Sequence, residues 1–228
     1  MVVAALPSAS KVRRELQAIA LGLRRRFGIP RRRATDPLDE LIQTVLSQNT
    51  SDLNSGRAFR SLKAAFPSWE AVARSGRPAI EEAIRVGGLA RTKSRRILRI
   101  LGQIRSREGR YDLRRLLRLP AVDARRGLEG LAGVGPKTRS CVLLFACRKP
   151  AFPVDTHVHR IVVRLGLVPR SASAARAQAL LEPHVPEARA LDLHLNLIRL
   201  GREVCRPLAP LCGRCPLRRR CAYAREAA

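Results

Sequence analysis

Three groups of residues in this chain are of the kinds that do chemistry. The first is the stretch Leu131-Ala132-Gly133-Val134-Gly135-Pro136-Lys137-Thr138. Gly133 and Gly135 can take positive φ and leave no side chain between the backbone and a partner. Pro136 suits the first position of a helix, where its missing N–H costs nothing. Amides at a helix start lack intrahelical partners and carry the positive end of the macrodipole, so they can cradle a phosphate. Lys137 stands in the same field, which disfavours its ammonium form. Alone, such a run is more simply a turn followed by a solvated lysine, because short glycine motifs are weak evidence. The second group, Val154-Asp155-Thr156-His157, follows 18 positions after Lys137. Asp155 reads plainly as the N-cap of a helix beginning at Thr156. Read for chemistry, it is a carboxylate facing the amine, and a cap's second oxygen is free for that. A helix over residues 136–147 runs away from Lys137 for about 18 Å, and residues 148–155, held extended by Pro150 and Pro153, reach up to roughly 26 Å back.

The third group is Cys205, Cys212, Cys215 and Cys221, spaced C-x6-C-x2-C-x5-C within 17 residues and stiffened by Pro207, Pro210, Gly213 and Pro216. Four thiolates in such a loop mean a metal site, and either tetrahedral zinc or a cubane iron–sulfur cluster can be held by four cysteines. The arrangement is unlike the paired C-x2-C spacing of zinc ribbons.

Helices must position these groups. Leu16, Ile19, Leu23 and Phe27 share one face of a helix opened by Ser10 and stopped by Gly28 and Pro30. Asp36-Pro37 opens another, with Leu38, Leu41, Ile42, Val45 and Leu46 inward. It breaks at Ser47-Gln48-Asn49-Thr50, a run that reads as a capped turn. Residues 52–66 and 78–86 are expected as helices, the latter stopped by Gly87-Gly88. Residues 91–107 place Ile97, Ile100, Leu101 and Ile104 inward and arginines outward. Residues 111–130 break into short pieces around Pro120, with Asp123 as a cap. After Asp155, Val158, Ile161, Val162 and Leu165 share a face, and residues 186–203 carry leucine on most faces, as a buried helix does. Cys141 and Cys147 read as small core residues. His157 and His159 read as packing or surface side chains, and His184 and His194 have no ligand spacing. No stretch alternates with period two and no segment repeats, so the expected class is all-α.

At 228 residues and 46% hydrophobic the chain can bury a real core. With 45 Lys+Arg against 18 Asp+Glu, the formal charge is +27. A solvated surface needs charge of both signs but not this imbalance, and a polyanion such as nucleic acid is the economical partner. No apolar run approaches the roughly 20 residues needed to span a bilayer, and the N-terminus lacks the basic start and long apolar core of a signal peptide. A soluble, cytoplasmic protein is expected, associated with the nucleoid in a prokaryote. Its cysteines are then not disulfides.

Taken together, LAGVGPKT, the later VDTH and the C-terminal cysteines resemble endonuclease III and its helix-hairpin-helix DNA glycosylase relatives. The likeness runs over residues 36–221. It implies a two-lobed all-α fold: a six-helix central domain over residues 29–150 carrying the helix-hairpin-helix, and an iron–sulfur cluster domain made of residues 1–28 plus 151–228. The DNA-binding cleft of that family lies between the lobes. The cysteine spacing matches the family's [4Fe–4S] loop at every gap, which makes Cys205, Cys212, Cys215 and Cys221 the ligands. In the family the cluster performs no hydrolysis and ties down a loop whose basic residues contact DNA; here Arg206 is the only basic residue between the first two ligands. The resemblance makes Leu131, Gly133, Val134 and Gly135 hairpin contacts to DNA. It makes Gln48 an amide that enters the duplex where the damaged nucleotide has left, filling the hole and bonding the unpaired base. The sequence departs from the pattern at Ala132, where proline is usual, and in a longer segment over 111–130. Glu129 reads either as the acidic residue the family often carries just before the hairpin or as a solvated carboxylate.

The implied activity is a DNA glycosylase with abasic-site lyase action on damaged pyrimidines in duplex DNA. Lys137 attacks C1′ to form a Schiff base that leads to β-elimination, and Asp155 stabilises positive charge developing on the sugar. Lysine at this place argues against the adenine mismatch branch. Thymine or uracil mismatches and modified cytosine stay open as substrates. A non-catalytic helix-hairpin-helix module and a zinc-stabilised RNA-binding protein are the rivals from other classes, and the lysine–aspartate pair speaks against both. The expected state is a monomer acting on damaged or abasic double-stranded DNA, away from membranes.

Overall fold

The computed structural model describes residues 8–226. Among these residues there is no strand, and helices carry the architecture. Contacts divide the chain into two compact units: Ala34–Arg148, and the described part of Met1–Arg33 together with Lys149–Ala228.

The second of these begins with α1, Ala9–Phe27. Ser8, not Ser10, is its cap, accepting from the Lys11 amide at 3.4 Å. The helix buries Val12, Leu16, Ile19, Ala20 and Leu23 and stops at Gly28, whose φ of 79° suits a residue without Cβ. The Ala34–Arg148 unit starts at α2, Pro37–Ser47, with Asp36 capping through the amides of Leu38 and Asp39. Leu38, Leu41 and Ile42 are wholly buried, each stabilising the unit by roughly 1.5–3 kcal/mol. There follow α3, Asp52–Ala65, capped by Ser51; α4, Trp69–Arg74, capped by Ser68; α5, Arg77–Ala83; and α6, Ala90–Glu108. After α7, Arg115–Arg118, comes α8, Ala121–Gly127, which has Pro120 rather than Asp123 at its cap position. Asp123 lies inside that helix and pairs with Arg126. The last helix, α9, Pro136–Cys141, runs on as a π-helical stretch, Val142–Ala146, whose residues are all buried. Where six helices were expected, the described residues of this unit form eight α-helical segments, because α4 is separate and Pro120 parts α7 from α8.

Beyond it lie α10, Thr156–Leu165; α11, Ala174–Leu181; α12, Ala190–Glu203; and α13, Ala222–Glu226. A 3-10 turn, Glu187–Arg189, opens the stretch expected as one helix from residue 186. α12 is the centre of this unit, with α1 and α10 packed on it. No helix of the described residues is long and apolar enough to cross a membrane.

Candidate active site

The stretch before Lys137 is a tight turn, closed by the Val134 amide donating to Leu131 O at 3.1 Å. Gly133 has φ 69° and needs glycine's freedom. Gly135 has φ −80° and is extended backbone, so that freedom is used only at Gly133. The side chains of Leu131 and Val134 are buried, which leaves only their backbone to meet a ligand, while Gly133 and Gly135 are exposed. Pro136 occupies the first position of α9. Lys137 is half-buried, and its Nζ makes no hydrogen bond or ion pair among the described residues. Nothing in its own unit engages the amine.

A polar stripe on α6, missed in the sequence, holds this turn. Gln103 Nε2 donates to Gly130 O at 3.0 Å, and its Oε1 accepts from the Ala132 amide at 2.8 Å. Arg107 Nη1 donates to Glu129 O at 2.7 Å. The Glu129 carboxylate pairs with Arg139 at 3.1 Å, so it is neither simply solvated nor free. Lys93 is 3% exposed, and its Nζ donates to Leu46 O at 2.7 Å, Thr50 Oγ1 at 2.5 Å and Gly87 O at 2.9 Å. Burial, and then the Arg96 charge, push the Lys93 amine below the usual lysine range. Arg96 itself reaches back to Gln48. Residues 93, 96, 103 and 107 lie along one side of the helix; as a sequence they read as solvated charge.

Gln48 is turned inward. Its Nε2 lies 3.4 Å from Gly133 O and 3.3 Å from Thr138 Oγ1, while its Oε1 accepts from Arg96. The residue the turn holds outward is its neighbour Asn49, exposed with φ 52°. Leu89, at the start of α6, is likewise left-handed (φ 51°) and 56% exposed. The sequence reading passed over both, although asparagine's tolerance of that region was a signal.

Asp155 caps α10, its Oδ1 accepting from the Val158 amide at 2.8 Å. Among the described residues its second oxygen takes no hydrogen bond. The segment leading to it is pinned on three sides: Glu182 Oε2 accepts from the Phe152 amide at 2.8 Å, Gln178 Oε1 from the Val154 amide at 3.3 Å, and His194 Nδ1 sits 2.9 Å from Pro153 O. His159 Nε2 lies 2.7 Å from Ala172 O and His157 Nδ1 lies 3.2 Å from Arg160. The histidines of α10 therefore serve packing.

Cys205, Cys212, Cys215 and Cys221 are half-buried and form no disulfide; Cys141 and Cys147 are buried. Two arginines of α10 anchor the loop. Arg160 Nε donates to Cys205 O at 3.0 Å, and Arg164 donates to Arg206 O at 2.7 Å, Pro207 O at 2.8 Å and Cys205 Sγ at 3.3 Å. The Arg206 side chain is exposed. Burial pushes the Cys215 and Cys221 thiols up, and neighbouring cysteines of the quartet add to the shift. Among the described residues no group of three or more His, Cys, Asp or Glu is arranged to hold a metal ion.

Residues 42–187 match the model of the HhH-GPD superfamily base excision DNA repair protein. Over 168 residues the chain is 42% identical to At3g47830 of Arabidopsis thaliana, whose name marks it as a candidate DNA glycosylase; the match covers 74% of this chain and 57% of that protein's length. Endonuclease III of Thermotoga maritima is 33% identical over 84% of this chain and 85% of its own. Among solved structures, that of a non-covalent endonuclease III–DNA complex superposes with a TM-score of 0.79 at 25% identity, covering 97% of this chain and 99% of that one. A thermostable thymine-DNA glycosylase shares the fold, with a TM-score of 0.80 at 20% identity. The chain belongs to the HhH-GPD superfamily of base excision DNA repair proteins and is a DNA glycosylase of endonuclease III type.

Proposed function

We propose that this glycosylase is bifunctional, removing damaged pyrimidines from duplex DNA and cleaving the resulting abasic strand by β-elimination. The observation that carries the reading is the amine of Lys137, set two residues past the exposed hairpin glycine Gly135 and engaged by nothing in its own unit. An amine so placed, once deprotonated, attacks C1′ of the extruded nucleotide; the glycosidic bond breaks, the base leaves, and the Schiff base that follows acidifies the sugar for elimination. Asp155, whose second oxygen takes no hydrogen bond among the described residues, is the carboxylate proposed to stabilise positive charge developing on the sugar. Exposed backbone at Gly133 and Gly135 holds phosphate without reading sequence, so the lesion is chosen in the base pocket.

The four cysteines suit a [4Fe–4S] cluster. They are unpaired thiols in one half-buried loop, and the Arg164 guanidinium donates to Cys205 Sγ at 3.3 Å. When bound, the cluster supplies iron–thiolate bonds that tie down the loop carrying Arg206. Protein purified without oxygen should be coloured and hold about four irons per chain; colourless protein with one zinc would overturn this assignment.

Duplexes carrying one oxidised pyrimidine, one thymine or uracil mismatch, one modified cytosine or one abasic site test the activity. Base release followed by strand cleavage at the oxidised pyrimidine, and cleavage at the abasic site, are expected. Base release that leaves every strand intact would make the enzyme a simple glycosylase, and activity confined to mismatches would move it to another substrate class.

A further inference from the structure

We propose that Gln48 and Arg96 form a latch that fixes the shape of the hairpin, both acting as positioning residues for its amides and for the helix that carries Lys137. The proposal rests on the reading of the hairpin as a DNA contact. Three separate elements meet here: the turn after α2, the first half of α6, and the hairpin with α9. A carboxamide has one accepting and one donating end. Arg96 can only donate and Gly133 O can only accept, so the Gln48 amide has a single orientation: Oε1 to Arg96 and Nε2 to Gly133 O. The other Nε2 hydrogen goes to Thr138 Oγ1, a buried hydroxyl on the residue after Lys137.

The glycine is part of the same device. A Cβ on Gly133 would lie 2.7 Å from Arg96 Cζ and closer still to the stem, so the guanidinium occupies space that only glycine leaves open. Gly133 thus serves twice, through its left-handed turn and through the seat it gives Arg96. This differs from the role the sequence suggested for Gln48. Both of its amide hydrogens are spent inside the unit, and what it offers DNA in this proposal is the geometry of the hairpin.

Gln48→Met and Arg96→Met keep side-chain bulk and remove the bond from either side; they are compared with the double variant and with Arg96→Lys, which retains a donor. Hydrogen exchange at the amides of residues 133–135, measured on the free protein, should speed up in both single variants and recover in part in Arg96→Lys. Affinity for a duplex with a reduced abasic site should fall about tenfold in each, the size of one lost hydrogen bond. The double variant should bind no more weakly than the worse single, and the slope of log affinity against log salt should match the unaltered protein throughout. Losses that multiply in the double variant, or unchanged exchange, would overturn the latch. A slope reduced by about 0.9 in Arg96→Met alone would make Arg96 a phosphate contact instead. Failure of the unaltered protein to bind duplex would remove the DNA reading, while the exchange data would still judge the latch.

Discussion

Asp155 carries two duties on one carboxylate. Oδ1 caps α10 through the Val158 amide, and the proposed mechanism gives the other oxygen to the substrate. Asp155→Asn separates them, since the amide oxygen can still cap while the charge is gone. Single-turnover base release should fall by about 10²–10⁴-fold, with duplex affinity and melting temperature close to those of the unaltered protein. An Asn variant that excises at the normal rate would leave Asp155 a cap only. The cap at Asp155 was legible from residue type and position, whereas the chemistry given to Lys137, Asp155 and the four cysteines came from the family resemblance and stands as a proposal. The orientation of Gln48 was not legible. A polar residue in a turn can face in or out, and the partners that draw it inward, Arg96, Gly133 and Thr138, stand 48, 85 and 90 positions away.

The helices follow from apolar periodicity, and their ends follow from caps. Asp36, Ser51 and Ser68 each bond an amide of the first turn. Errors fell where two candidates compete within a few residues, as Ser8 does with Ser10, or where a proline sets the boundary, as Pro120 does ahead of Asp123. The polar stripe of α6 was illegible for another reason: a helix face rich in arginine looks solvated until the loops that cover it are known. At the end of that helix, Glu108 meets Arg115 in two bonds of 3.0 and 2.8 Å, joining α6 to α7. The hydrogen bond from Arg115 holds the Glu108 carboxyl below the usual carboxylate range. A lowered folded pKa contributes stability that is fully present above the unfolded value, 4.5, and is lost as pH falls through the folded one. Arg115 is half-exposed, so solvent screens the pair. Glu108→Gln should therefore cost only about 0.5–1 kcal/mol at pH 7, a difference that shrinks as the pH is taken below 4.5 in denaturant titrations. A deficit of constant size down to acid pH would mean that the loss is one of packing.

At the scale of the molecule, the chain leaves its first unit after Arg33, builds Ala34–Arg148 and returns at Lys149. The hairpin lysine therefore belongs to one unit, and the capped aspartate and the cysteine loop to the other. Both crossings, residues 28–36 and 148–155, lie outside helix and hold prolines at 30, 150 and 153, so apolar periodicity locates the boundary only to within a few residues. The formal charge of +27 suits a polyanion and gave the class of partner before any site was known, but it could not say which arginines meet phosphate. What distinguishes a lyase from a simple glycosylase is the fate of one amine. Borohydride reduces an imine to a stable amine, so protein incubated with abasic duplex and borohydride should be trapped as a covalent adduct. Lys137→Gln should abolish the adduct while keeping duplex affinity, because the contacts proposed for the hairpin are backbone groups. An adduct formed by the Gln variant at normal yield would place the nucleophile on another amine and contradict the account.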